Sequence, residues 1–150
     1  MSHEVKRTIV EEVEYPDHAD RTTSEEFAKN RREMVENDDT PCWICGSRKN
    51  REVHHFFEWS LFPAIDPTKM KIVLKMLDPY GYSKADDSDI TSPDDKRNLL
   101  VLCEDHHRGR NNGVHALTFP IWLAQKCVKD GIDITPEVQV IQEADKKLQK

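Results

Sequence analysis

Two short spacings constrain this chain more than any other feature. Cys42 and Cys45 are separated by two residues and followed by Gly46, and Cys103 and His106 are separated by two residues just after the apolar run Leu99-Leu100-Val101-Leu102. A two-residue gap lets both ends of one turn point at a single ion, and three thiolates with one imidazole form a donor set that tetrahedral zinc accepts. Cys42, Cys45, Cys103 and His106 are therefore expected to hold a structural Zn²⁺ that staples two distant segments. Two other readings compete. The cysteines could be incidental core residues, or Cys42 and Cys45 could be a redox pair, although a thioredoxin-type pair needs a βαβ context that this sequence lacks. Cys127 lies in an apolar helical stretch and reads as core.

Such a staple suits the composition. At 150 residues with 37% apolar and 33% charged content, the chain reads as one domain with tails and a lean core, the kind that often needs a metal to hold it. The net charge of −6 resides in the first 40 residues, where 12 acidic face 6 basic residues, while residues 41–150 carry 16 of each. No global basic field exists to draw in nucleic acid, so any such binding must come from local clusters or a bound cation. The apolar runs are too short to span a membrane, and the first residues lack the apolar core of a signal peptide. A cytoplasmic location is expected, where cysteines stay reduced and serve metals rather than disulfides.

Along the chain, residues 1–40 read as an acidic arm with a mild strand-like alternation over Thr8–Tyr15 and then a helix over 24–37. That helix starts at a capping box of Thr23 and Glu26 and turns Phe27, Met34 and Val35 inward. Its Lys29, Arg31 and Arg32 are either a solvated face or phosphate contacts. Residues 41–117 hold the metal-ligand motifs: a polar turn over 47–51, a strand over 52–57, and a buried strand over Leu99–Leu102 leading into a helix that begins at Cys103. Between the strands, residues 58–97 form an insert with an aromatic helical turn over 56–62 and a helix from Asp66-Pro67 to Leu77. That helix places Met70, Val73, Leu74 and Leu77 on one side. One capped helical turn is expected over 92–95. Residues 118–150 read as two C-terminal helices, one from Thr118 to about Gly131 and one from Thr135 to about Leu148.

With His106 assigned to zinc, His54, His55, His107 and His115 remain. Cys-x-x-Cys, then Val53-His54-His55 on a strand, then Asn98-Leu-x-x-Leu-Cys-x-x-His-His resembles the HNH endonucleases with a ββα-metal fold. The likeness runs from about Cys42 to His115 and is interrupted by the insert. It implies an α+β fold, with a ββα core, a structural zinc, flanking helices and a helical insert. It implies a DNA endonuclease that hydrolyses phosphodiester bonds with one catalytic divalent cation, Mg²⁺, Mn²⁺, Ni²⁺ or Zn²⁺. By position, His54 and His107 match the cation-binding residues, His55 matches the general base, and Asn98 matches the asparagine that fixes the loop and orients the base. A neutral imidazole can take a proton from water near pH 7, and a cation with few protein ligands keeps positions open for a phosphate. The expected products carry a 5′ phosphate and a 3′ hydroxyl.

His115 follows His107 by eight residues, off its helical face, and either folds back to the metal across Gly109 and Gly113 or does nothing chemical. Arg108 and Arg110 are candidate phosphate clamps, or solvated surface residues. The adjacent His106 and His107 could exchange roles. Two features depart from the family pattern: the fourth zinc position holds His106 rather than cysteine, and 42 residues separate His55 from Asn98. Partners implied are a DNA substrate, no membrane, and room for a homodimer or a larger phage or restriction complex. Two other function classes fit the zinc motif: a nucleic-acid-binding module without cleavage and a zinc-held protein-interaction adaptor. Neither requires His55 together with Asn98.

Overall fold

The computed structural model describes residues 1, 3–6, 8, 15–118, 122, 125 and 129–133. Residues 9–14 of the alternation expected over 8–15, Cys127, most of the helix expected from Thr118 and the whole of the last expected helix lie outside the described residues. What is described is a mixed α+β arrangement built on one antiparallel strand pair. Among the described residues no helix is long and apolar enough to cross a membrane.

The first helix, α1, spans Glu25–Arg31 and runs on through a π-helical segment, Arg32–Asn37. Its cap is Ser24 rather than Thr23, because the Ser24 Oγ accepts from the Phe27 amide at 2.9 Å. Lys29 and Arg31 pair with Glu33 and Glu36, so this face is self-neutralised. After the Cys42–Cys45 turn, whose Gly46 takes a positive φ of 76°, strand β1 covers Arg51–His55. It begins a residue earlier and ends two residues sooner than the sequence suggests. A 3₁₀ segment over Trp59–Ala64 leads to helix α2, Pro67–Leu77, where Asp66 accepts from the Lys69 amide at 2.8 Å. Only Met70 and Leu74 of α2 are buried, against Ile90, Phe57, Phe62 and Ile65. Val73 and Leu77 are exposed, contrary to expectation, because the insert supplies apolar partners to one narrow stripe alone. The short helix α3, Tyr82–Ala85, follows Gly81 and was not anticipated. The capped turn expected at 92–95 is present, closed by the Asp95 amide on the Ser92 carbonyl and capped by Ser92 Oγ on the Asp94 amide, and Asp95 then caps a 3₁₀ turn over Lys96–Asn98.

Strand β2, Leu99–Cys103, pairs antiparallel with β1, with His55 opposite Leu99, His54 opposite Leu100 and Arg51 opposite Cys103. Every residue of β2 is buried, so both of its faces are covered. Leu99 and Val101 join Val53, Met34 and Val35 on the α1 side. Leu100 and Leu102 join Cys42, Ile44 and Trp122 on the other. Period-two alternation therefore gives Glu52 and His54 to the cysteine side and His55 to the α1 side. Helix α4, Glu104–Arg108, leaves β2 directly, one residue after the predicted start.

Asn98 ties the insert to this unit. It is fully buried, its Oδ1 accepts from the Phe57 amide at 2.8 Å, and its Nδ2 donates to the carbonyls of Phe57 and Pro93. Replacing Asn98 with Ala strips three hydrogen bonds from a dry position. Denaturant unfolding of the metal-loaded chain should read a loss of about 3 kcal/mol. A loss under about 0.5 kcal/mol contradicts the anchoring role.

Candidate metal centres

The Cys42–Cys45 turn, the end of β2 and the first turn of α4 converge on one point. The sulfur atoms of Cys42, Cys45 and Cys103 and a ring nitrogen of His106 all lie within 4.8 Å of one another, and the group could hold a metal ion. Bonds of about 2.3 Å to sulfur and about 2.05 Å to nitrogen give tetrahedral edges of about 3.8 Å (S–S) and about 3.6 Å (S–N). The Cys45–Cys103 sulfurs stand 3.8 Å apart, and His106 Nδ1 lies 3.9 Å from the Cys42 sulfur and 3.3 Å from that of Cys103. The donor set and its edges thus fit zinc. Burial pushes the Cys42 thiol up, but hydrogen bonds from His106 and from backbone amides outweigh it and bring it down. Burial and the neighbouring sulfurs push Cys103 up. A divalent cation would relieve this crowding of like charges. Trp122 closes the buried side and donates from its indole to the His106 carbonyl at 3.1 Å. Cys45 is exposed.

A second group lies on the same face of the strand pair. One nitrogen each of His54, His107 and His115 falls within 4.8 Å of the others. His54 comes from β1 and His107 from α4. His115 arrives because the chain after α4 folds back along it, with the amides of Val114 and His115 bonded to the carbonyls of His106 and His107. Gly109 and Gly113 permit that approach: a Cβ on Gly109 would stand 2.1 Å from the Asp105 carbonyl oxygen, and one on Gly113 2.6 Å from the backbone of Gly109. His107 and His115 bring their Nε2 atoms to 3.1 Å. Two ligands at about 2.1 Å from one ion lie about 3.0 Å apart at a right angle and about 3.4 Å apart at a tetrahedral one. Burial is the main cause that lowers His54, to about 3, with the His107 and His115 charges adding. Burial and His107 lower His115 likewise. The imidazoles of His54 and His115 thus keep their lone pairs near neutral pH, and the exposed His115 marks the open side.

Glu52 completes this group. Its Oε2 lies 2.6 Å from His107 Nδ1, which assigns the ring proton to Nδ1 and turns the Nε2 lone pair toward His54 and His115. Arg108 forks onto the same carboxylate, with Nε at 2.8 Å and Nη2 at 2.5 Å, so its guanidinium is engaged within the fold rather than free for a phosphate. Arg110 is exposed on the following turn. The Arg108 hydrogen bonds, against the opposing effect of burial and with help from His107, hold Glu52 at about 2. Its contribution to stability is complete above the ordinary value of 4.5 and drains away as pH falls toward 2. Replacing Glu52 with Gln should weaken cation binding at the histidine group about 10- to 100-fold. Titration with Co²⁺ or Mn²⁺ checks this, and unchanged affinity contradicts the role given to Glu52.

His55 does not join the three-histidine group. Its ring stacks on Phe27 with centroids 5.3 Å apart, and its Nε2 lies 2.7 Å from Asp94 Oδ1. Burial lowers its pKa, the hydrogen bond to Asp94 opposes, and the Arg21 charge adds to the lowering. Asn98 reaches the loop after His55 rather than the ring itself. Sequence reasoning missed Glu52 and Asp94. Glu52 was readable, two residues before His54 on the same strand face. Asp94 had no local signal. Comparisons of the chain with protein-family models, with curated proteins and with solved structures return no match.

Proposed function

We propose that this chain is a metal-dependent endonuclease of the HNH type that hydrolyses phosphodiester bonds in DNA. The observation that carries the reading is the pairing of two metal-ligand groups on one strand–strand–helix unit. One is buried, sulfur-rich and suited to structural zinc, and the other is three imidazoles open to solvent at His115. A cation bound at the second group would contact the scissile phosphate and offset charge on it and on the leaving 3′ oxygen. His54, His107 and His115 hold the cation, and Glu52 fixes the tautomer of His107. His55 takes a proton from the attacking water, and Asn98 keeps the loop after β1 in place. The products are a 5′ phosphate and a 3′ hydroxyl.

His55 favours a second reading. Its ring lies on the α1 side, tied to Asp94, and a zinc-held nucleic-acid-binding module without cleavage would need nothing more from it. Supercoiled plasmid incubated with the purified chain and Mg²⁺, Mn²⁺ or Ni²⁺ separates the two. Conversion to nicked or linear DNA, abolished by chelator, is expected. Retarded but intact plasmid with every cation selects the binding module.

A further inference from the structure

Asp94 is a buried carboxylate that lies outside both metal-ligand groups, and its surroundings are built with unusual completeness. Its side chain is 5% exposed. Oδ2 accepts from the Ser24 hydroxyl at 2.5 Å, and Oδ1 faces His55 Nε2 at 2.7 Å and Arg21 Nη2 at 3.3 Å. The Asn30 side chain donates to the Asp94 carbonyl, and the Asp94 amide donates to Ser92 Oγ. Ser24 is also the cap of α1. The arm helix and the insert therefore meet at this carboxylate, as they also do where Lys96 pairs with Glu33.

We propose that Asp94 is a positioning residue for His55, holding it as the Nε2-protonated tautomer so that Nδ1 carries the lone pair that receives the proton of the attacking water. The assignment rests on the nuclease reading above. An ionised carboxylate only accepts hydrogen bonds, so at 2.7 Å the proton must sit on Nε2 of the imidazole. Ser24 and Arg21 supply the remaining donors, which keeps the buried carboxylate charged and fixed. Phe27 stacks on the ring and stops it from turning away. In the step itself, the water oxygen bonds to phosphorus as its proton passes to Nδ1. The bond from phosphorus to the 3′ oxygen breaks, and that oxygen takes a proton from solvent. The arm helix, which the HNH resemblance leaves out, thereby becomes part of the machinery through Ser24.

Two measurements on the metal-loaded full chain test this. A long-range ¹H–¹⁵N spectrum of the unaltered protein at neutral pH should show His55 protonated at Nε2. Asp94→Asn, which can donate to Nε2 and favour the wrong tautomer, should lower kcat for plasmid nicking roughly 10²- to 10⁴-fold with KM and the Co²⁺ absorption spectrum unchanged. Ser24→Ala, which removes one donor only, should lower kcat more modestly in the same pattern. A His55 protonated at Nδ1, or an Asp94→Asn enzyme with undiminished kcat, overturns the assignment of Asp94 alone. No nicking by the unaltered chain overturns the nuclease reading, and the base role of His55 falls with it.

Discussion

Stripping metal from the cysteine–histidine group is expected to unfold the strand pair rather than merely silence the protein. Cys42 and Ile44 cover one face of β2, held there by the Trp43 amide bonded to the Val101 carbonyl and by the convergence of their turn on Cys103 and His106. Without an ion, three sulfurs and an imidazole would face one another in a largely buried space. Apparent binding energies for structural zinc run to about 10–16 kcal/mol in small zinc-held folds, comparable with the entire stability of a domain. Cys103→Ser or exhaustive chelation under reducing conditions should therefore abolish cooperative thermal unfolding, followed by circular dichroism, and readdition of Zn²⁺ to the unaltered chain should restore it. A chelated protein proven free of metal that still melts cooperatively at the same temperature contradicts this role.

The second large effect concerns the histidines, where two substitutions should fail in different ways. His54→Ala removes one of the three imidazoles proposed to hold the cation. Its nicking activity should fall steeply at low cation concentration and recover in part as Mn²⁺ is raised. His55→Ala leaves those imidazoles intact and removes the proposed proton acceptor. Its kcat should fall about 10²- to 10⁴-fold even at saturating Mn²⁺, with no recovery. Steady-state nicking across a cation titration reads both patterns. Equal nicking by His55→Ala and the unaltered chain contradicts the base assignment.

The Cys42–Cys45 and Cys103–His106 spacings were legible because each ligand pair is local: one turn or one helix start decides whether both atoms face an ion. Long-range placement was less legible. His115 depends on a fold-back that helical periodicity does not report, and only the tight approaches at Gly109 and Gly113 make it possible. Strict alternation along β1 separates His54 from His55, a consequence a strand assignment already contains. The α2 face was misread because apolar spacing cannot tell which residues will find partners, and the insert covers only Met70 and Leu74. Asp94 meets His55 from 39 residues away and Ser24 from 70, beyond any pattern in a single sequence.

His106 and His107 are neighbours on α4, yet they serve different groups, one facing the sulfurs and the other facing His54 and His115. Successive residues of a helix are turned by about 100°, so a single rotation angle assigns both imidazoles at once. One residue inserted between Cys103 and His106 would bring Asp105 to the place of His106 and His106 to that of His107, so the sulfur group would lose its imidazole. The loop between the strands carries no such phase. Its length can drift freely as long as Asp94 and Asn98 return to their anchors, whereas the count of residues from Cys103 to His107 is a reading frame written into the fold.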